Sequence, residues 1–376
     1  MNSHPQVAPM FTPGLHKANA LINFLAAALL PLASPCTAQE PAKPPLDQQH
    51  QRQLIERISI VLNERYVFPD TARLMMAALA NAERRGAFIG RSTPEAFAHS
   101  VTTLLRSISH DGHLWIEVSP GEYPEPIERP DPQADEARRR RLSASNFGIP
   151  QVEILPGNVG YLQVHQFVTP ELSTNAAAVA FEFLANADAL ILDLRGSGGG
   201  SPDMVALIAS YLFGETPVHL FDIYRRPQDR RDEYWTDRFA PRLRFPHQPV
   251  YVLTDARLFS AGEGLAYTLQ DLRRATVVGE KTAGGAHPGS FHRLSEDLVM
   301  FVAEARVTSA ASGKNWQGVG VVPDVEITTA LALDTAHLLA LDTLLKLDTA
   351  GVMVDERKQA AQEIRQRLKS APIIRY

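Results

Sequence analysis

The chain has 376 residues, of which 45% are apolar and 21% are charged, and its formal net charge is −5. This length is sufficient for two domains, and the composition is ordinary for a globular protein. The small negative charge gives no reason to expect nucleic acid or an anionic membrane surface as a partner.

Residues 1–38 have the three parts of a secretory signal peptide. Lys17 precedes an apolar stretch that is too short for a comfortable membrane span, and Cys36 and Ala38 are placed for cleavage after Ala38. A buried N-terminal helix is the alternative, and Pro35 disfavours a lipoprotein signal at the cysteine. The sequence therefore predicts an exported protein, periplasmic or secreted, with no stable membrane span once the signal is removed.

Cys36 is the only cysteine of the chain. Cleavage after Ala38 would leave a mature protein with neither a disulfide nor a thiol nucleophile. Residues 39–50, rich in proline and polar side chains, read as a flexible leader.

Residues 51–118 have mainly helical periodicity and are predicted to form a small helical bundle. One of its helices begins at Pro94, with Ser92 or Thr93 as the capping residue. Residues 119–146 are rich in proline and charge, which predicts an exposed connection.

Residues 147–345 alternate between strand-like and helix-like runs, which predicts an α/β domain. The run "ALILDLR" at 189–195 is apolar without interruption, as expected for a strand buried on both faces. The run "LVMFVAEARV" at 298–307 also reads as strand. Residues 346–376 are predicted to form a helical tail.

The segment "DLRGSGGGSPDM" at 193–204 places four glycines between a buried strand and a predicted helix. Glycines let a backbone turn sharply and aim several N–H groups into one cavity, and a helix N-terminus adds positive potential there. In an enzyme such a loop can hold a developing oxyanion. A tight turn in which Ser201 caps the helix is the simpler interpretation.

Ser260 stands at the next junction between a strand and a helix, in the segment "LFSAGEG". Ser260 and Glu263 have the spacing of a capping box, so the serine is either a helix cap, a nucleophile or both. A serine at a helix N-terminus lies in positive potential, which favours a developing alkoxide.

The segment "SISHDGHLW" at 107–115 supplies His110, Asp111 and His113. A serine nucleophile needs a base, and histidine is the most frequent one. A zinc site through His110 and His113 is an alternative, as is a pair of surface histidines without a catalytic role. Because no second ligand cluster has suitable spacing, no metal and no other cofactor is predicted.

Four ordered motifs, "ALILDLRGSGGG", "LFSAGE", "RATVVGEKTAGGA" and "GVGVVPDVEI", resemble those of the tail-specific, or C-terminal-processing, serine peptidases. "YVFPD" at 66–70 and "HDGHL" at 110–114 resemble the branch that contains interphotoreceptor retinoid-binding protein and tricorn-like enzymes. The resemblance spans roughly residues 51–341. It implies a twisted β/α core of the Clp protease and crotonase type, preceded by the helical bundle and without an inserted PDZ domain.

The resemblance also implies roles for individual residues. Ser260 is the nucleophile, and the backbone N–H groups of Ala261 and of Gly198 or Gly199 form the oxyanion hole. His113 matches the base of the Ser-His branch, and His287 is the reserve candidate.

Two departures from the family pattern concern the base. Gly285 stands where many relatives carry the lysine of a Ser-Lys dyad, and Lys281 lies four residues too early. Gln317 stands where Ser-His relatives tend to carry glutamate, so Gln317, Asp111 and Glu280 are the candidates for orienting His113.

The resulting hypothesis is an exported serine peptidase that cuts peptide bonds through an acyl-enzyme and acts on peptide or protein substrates. The rival hypothesis is a catalytically weak or inactive module that binds peptides or an apolar ligand in the same cleft. The sequence does not indicate an oligomeric state.

Overall fold

The computed structural model describes residues 45–119, 132–236, 239 and 241–371. The predicted signal peptide, Cys36 and residues 39–44 of the predicted leader lie outside the described residues. So does the first part of the predicted connection after residue 119.

The described chain alternates between helices and strands after an initial helical stretch. The helices are α1 (Gln48–Arg65), α2 (Pro69–Arg84), α3 (Pro94–Ser109), α4 (Pro132–Ala144), α5 (Pro170–Phe183), α6 (Pro202–Leu212), α7 (Ala261–Asp271), α8 (Thr329–Leu347) and α9 (Val354–Ser370). The strands are β1 (Trp115–Val118), β2 (Gln151–Leu155), β3 (Val159–Gln163), β4 (Ala189–Asp193), β5 (His219–Arg225), β6 (Arg230–Trp235), β7 (Val250–Thr254), β8 (Thr276–Gly279), β9 (Gly289–Arg293), β10 (Leu298–Ala303), β11 (Ala305–Ser309) and β12 (Val325–Glu326).

A six-stranded sheet forms the centre of the α/β region, with the order β12-β8-β7-β4-β3-β2. Its strands pair in parallel except for β2, which is antiparallel to β3. In β4, Leu190 and Leu192 pack toward α5, α6 and α7, whereas Ala189 and Ile191 pack toward α8 and α9. The predicted α/β class and the burial of β4 on both faces are thereby confirmed.

Helices α1, α2 and α3 pack together, and the N-cap prediction at α3 is confirmed for Thr93. Its hydroxyl accepts a hydrogen bond from the N–H of Ala96 at 3.2 Å. The core of these helices also includes Leu298, Met300 and Val302 of β10. Strand β10 lies between β1 and β9 in a three-stranded sheet. The helical segment therefore shares its apolar core with a strand from far along the chain.

The sequence predicts one strand over the run at 298–307, but this run forms two strands that belong to different sheets. Strand β10 pairs with β1 and β9, and β11 pairs with β5. The break falls at Glu304, whose carboxylate accepts hydrogen bonds from Ser290 Oγ at 2.7 Å and pairs with His292 Nε2 at 2.9 Å. These local partners fix the corner between the two sheets.

Helix α4 falls within the stretch predicted to be an exposed connection, and most of its described side chains are exposed. No helix in the described part of the chain combines the length and apolar character needed to cross a membrane.

Because β4 and β7 are parallel neighbours, the loops that follow them emerge at the same edge of the sheet. These are the loops that carry the glycine cluster and Ser260.

Candidate active site

Ser260 lies between β7 and α7 in a backbone conformation that non-glycine residues rarely adopt, with φ 56° and ψ −124°. Such a conformation typically costs about 1–3 kcal/mol and is found most often at functional sites. The N–H of Ser260 donates to Glu263 Oε2 at 2.9 Å. This bond holds the strained turn at the start of α7.

Glu263 also holds the glycine loop that follows β8. Its fully buried carboxylate accepts hydrogen bonds from Thr282 Oγ1 at 2.5 Å, Gly284 N at 2.6 Å and Gly285 N at 2.8 Å. Burial raises the pKa of Glu263, and these hydrogen bonds partly offset that rise. The capping box was visible in the sequence, but the link from the serine turn to the second loop was not.

Gly199 lies in the glycine loop that follows β4 and brings this loop into contact with the turn at Ser260. A Cβ added there, where φ is +95°, would lie 2.7 Å from Ser260 Cβ and 2.8 Å from Ala261 N. Only glycine permits this approach. The N–H of Gly199 points back to Ser197 Oγ at 3.3 Å, and around Gly198 an added Cβ would meet no atom within 4 Å.

His113 lies under the serine turn, 4% exposed, with its ring centroid 4.3 Å from that of Phe259. Neither ring nitrogen has a hydrogen-bond partner among the described residues, so no hydrogen bond joins His113 to Ser260. Burial lowers the pKa of His113 to about 4. The imidazole is therefore neutral near pH 7 and has a lone pair available for a proton.

The His113 ring fits beside Phe259 because Gly285 has no side chain. A Cβ added at Gly285 would lie 2.6 Å from His113 Cε1 and 2.2 Å from Phe259 Cε2. The imidazole therefore occupies the space into which a side chain at position 285 would project. A lysine at this position and a histidine at 113 are mutually exclusive in this packing.

Asp111 connects the helical region to the loop of His287. Its Oδ2 lies 2.9 Å from His287 Nδ1 and accepts from Tyr66 OH at 3.3 Å, while Oδ1 accepts from His113 N at 2.9 Å. Burial acts to raise the pKa of Asp111, but the interactions with His287 and the hydrogen bond from the backbone of His113 together lower that pKa. Asp111 thus positions His113 through its backbone, whereas its Oδ1 lies 3.9 Å from the ring nitrogen Nδ1, too far for a hydrogen bond.

Gln317 and Glu280, the other two candidates for orienting His113, form hydrogen bonds with backbone N–H groups. Gln317 Oε1 accepts from Ala286 N at 2.7 Å, and Glu280 Oε1 accepts from Thr329 N at 2.8 Å. Lys281 is exposed. A ring whose nitrogens have no partner is not oriented by a hydrogen bond from Gln317, Asp111 or Glu280. The ring of His113 is held by packing against Phe259 instead.

His110 lies apart from this cluster as the exposed left-handed C-cap of α3, with φ 51°. In the described ranges no group of three His, Cys, Asp or Glu side chains is arranged to hold a metal ion. His110 and His113 differ in exposure and belong to different surroundings.

A small cavity of about 40 Å³ opens beside Ser260. Its lining includes Ala261, Gly200 and Gly285 from the three loops described above. Apolar side chains supply much of the remaining wall: Pro202, Val205, Phe221, Pro288, Val307 and Trp316. Trp316 was not singled out in the sequence, since no local pattern relates it to Ser260.

Residues 158–327, which contain Ser260 and both glycine loops, match the family profile described as Peptidase family S41. The chain carries a peptidase family S41 domain.

Proteins related to this S41 domain include the carboxyl-terminal-processing protease of Synechocystis, 29% identical over 240 residues, which cover 61% of this chain and 53% of the relative. The carboxy-terminal-processing protease of Bartonella bacilliformis is 27% identical over 179 residues, which cover 46% of this chain and 40% of the relative. The chain thus spans about half the length of these relatives or less. These matches confirm the predicted tail-specific peptidase family.

A lipoprotein structure from Streptococcus agalactiae is similar to the chain with a TM-score of 0.51 and 14% identity. The match covers 81% of this chain and 99% of that one. At this identity the likeness concerns the fold alone.

Proposed function

We propose that the protein is a serine peptidase in which Ser260 attacks the carbonyl carbon of a peptide bond. The observation that carries this proposal is the strained turn of Ser260, which presents the serine in a cavity at the start of α7. In the proposed reaction, the Ser260 Oγ proton passes to His113 and then to the leaving amine. Water hydrolyses the resulting ester and restores the serine.

The N–H of Ala261 and an N–H of Gly198 or Gly199 are the proposed donors to the oxyanion. Ala261 is the first residue of α7 and lines the cavity, so its N–H belongs to the positive end of that helix. The N–H of Gly199 has only a long bond to Ser197, which a substrate oxyanion would replace. Each such donor typically contributes about 3 kcal/mol to the transition state.

The assignment of His113 as base is supported by its neutral imidazole and by its contacts with Phe259 and Gly285. Phe259 precedes the nucleophile, and Gly285 borders the cavity that contains it. Catalytic hydrogen bonds often tighten only when substrate binds. We therefore propose that the bond from Ser260 Oγ to His113 forms in the substrate complex, as in the Ser-His branch of the family.

We also propose that the protein is exported and that its substrates are peptides or proteins outside the cytoplasm. The ordered charge, apolar stretch and small-residue site within residues 1–38 support this. Sequencing of the mature protein should find Gln39 as its first residue, and an intact N-terminus on the protein from cells would refute export by cleavage.

A catalytically weak binding module is the second candidate. Two observations favour it: the His113 ring has no hydrogen-bond partner in the part of the chain that the structure describes, and Gln317 accepts from Ala286 N. A base whose protonated ring would not donate a hydrogen bond to a carboxylate is a weaker proton acceptor.

Labelling with a fluorophosphonate probe separates the two candidates. The wild type should gain one covalent adduct on Ser260, measured by intact mass, and Ser260→Ala should gain none. Ser107→Ala, at an exposed serine of α3, is the matched control and should label like the wild type. A folded wild-type protein that binds peptides but is not labelled would refute the peptidase and leave the binding module.

A further inference from the structure

A second and larger cleft lies on the opposite face of the β11-β5-β6 sheet from the cavity beside Ser260. In β5, Phe221 lines the cavity and Asp222 lines the cleft, and in β11 Val307 lines the cavity and Arg306 lines the cleft. Successive side chains of a strand project to opposite faces, which separates the two sites. The cleft measures about 830 Å³ against about 40 Å³ for the cavity, so it has room for a segment of chain.

Three cationic side chains line this second cleft, which we call the basic cleft: Arg231 of β6, Arg306 of β11 and Lys314 of the turn after β11. Tyr224 of β5 pairs with Arg306 on one side and with Arg231 on the other. Directly paired residues on one face of a sheet are in contact distance, so two arginines flank a single tyrosine. Arg306 Cζ lies 5.4 Å from the centroid of that ring, a contact that helps to hold the guanidinium in place.

The described lining of the basic cleft contains one carboxylate, and that carboxylate already has partners. Asp222 is buried, forms an ion pair with Arg231 and lies 2.9 Å from His219 Nε2. Arg306 and Lys314 are exposed, and no carboxylate of the described residues lies within ion-pair distance of either. Three cations and one carboxylate leave an excess of two positive charges in the cleft, although the chain as a whole carries −5. Such a concentration of one sign of charge in a concave surface attracts anions.

Gln317 adds a neutral donor to the basic cleft and links it to the cavity beside Ser260. Its Oε1 accepts from Ala286 N at 2.7 Å, whereas its NH₂ group has no partner in the part of the chain that the structure describes. A primary amide can donate two hydrogen bonds, so this group is available to a carboxylate. Ala286 lines the cavity and His287, the next residue, lines the cleft. The two sites are therefore adjacent along one loop.

We propose that the basic cleft binds an acidic peptide segment through the carboxylates of its aspartate and glutamate side chains. A peptide fits better than a nucleic acid, because nucleic-acid bases stack on open aromatic rings. Both aromatic rings of the described lining already have neighbours: Tyr224 contacts Arg306, and Phe68 meets His287 edge-on with centroids 5.1 Å apart. The binding does not require Ser260, so this site is independent of the proposed peptidase reaction.

Calorimetry on the full chain carrying Ser260→Ala tests the site without any cleavage. The probe is hexaglutamate with an acetylated N-terminus and an amidated C-terminus, so that only side-chain carboxylates are offered. It should bind, hexaglutamine with the same ends should not, and raising the salt concentration about tenfold should weaken binding. Arg306→Gln and Lys314→Gln should each weaken it about two- to fivefold, the scale of an exposed ion pair, and the double variant at least about fivefold. Arg306→Lys keeps the charge and should bind within about twofold of the parent protein.

Helix α4 supplies the matched control, because it carries four consecutive exposed arginines at 138–141 that could also attract an acidic peptide. Arg139→Gln removes one of these charges outside the basic cleft and should leave the affinity unchanged. Weaker binding in Arg139→Gln with unchanged binding in the Arg306 and Lys314 variants would overturn the proposal. So would equal binding of hexaglutamine, or tighter binding of an oligothymidylate of the same charge, which would assign the cleft to nucleic acid.

Discussion

Replacement of Gly285 by alanine tests whether the close packing of His113 and Phe259 holds the site together. The added Cβ would lie 2.2 and 2.4 Å from two atoms of the Phe259 ring and 2.6 Å from His113 Cε1. Carbon atoms pack at about 3.5–4.0 Å, so both rings must move by roughly 1 Å or more. Gly285 has no positive φ, so the effect of alanine is steric and not a backbone effect.

Overpacking of this kind typically costs about 1–3 kcal/mol. For domains of roughly this size, each kcal/mol lowers Tm by about 2–4 °C, so we expect a decrease of about 2–12 °C. The rate at which a fluorophosphonate labels Ser260 should fall as well, because Phe259 and the nucleophile are adjacent in the chain. Calorimetry gives the first quantity and time-resolved mass spectrometry the second.

Gly214→Ala is the matched control. Gly214 also has no positive φ, and its nearest neighbour to an added Cβ is Pro246 Cβ at 4.0 Å, an ordinary contact. This variant should change stability by no more than about 0.5 kcal/mol and label at the wild-type rate. If Gly285→Ala behaves like Gly214→Ala in both assays, the packing of His113 against the glycine loop is not as described.

Two further predictions concern the base and the buried carboxylate. Burial lowers the pKa of His113 to about 4, so labelling of Ser260 should be constant from pH 6 to 8 and fall only as pH drops through about 4; a midpoint near 6.5, the value of an exposed histidine, would contradict this burial. Glu263→Gln leaves buried N–H groups of the glycine loop facing an NH₂ group, so it should cost at least about 1–3 kcal/mol in urea unfolding and slow the labelling of Ser260. Glu56→Gln, at an exposed position of α1, should do neither, and equal stability of the two variants would show that the four hydrogen bonds to Glu263 carry little energy.

Much of the α/β fold could be predicted because its signals are local. The apolar run of β4 lies between turn residues, and its alternate side chains reach the two helical layers as expected for a strand buried on both faces. Strands β5 and β6 have no such signal, since charged residues such as Asp222 and Arg231 interrupt them. Strand β5 pairs with β6 on one side and with β11, about 80 residues later in the chain, on the other, and no local pattern relates β5 to that distant partner.

The residues of the candidate site also fall into two groups, those with a local sequence signal and those without one. Ser260, Glu263 and the glycines after β4 were recognisable because each belongs to a short contiguous motif. The pair of Asp111 with His287 joins residues 176 positions apart, and the hydrogen bond from Trp316 to Gly285 spans 31. No periodicity or spacing rule relates residues at such separations, since their proximity results from how the sheets and helices pack.

By itself, the sequence determined the α/β class, the order of its main elements and the family of its S41 domain, because apolar periodicity and turn chemistry act over a few residues. Only the tertiary structure decided that His113 fills the space beside Gly285, that Glu263 joins the two loops and that Trp316 closes the cavity at Ser260. These contacts depend on where separate loops meet at one edge of the sheet, and that meeting is set by the packing of the whole core.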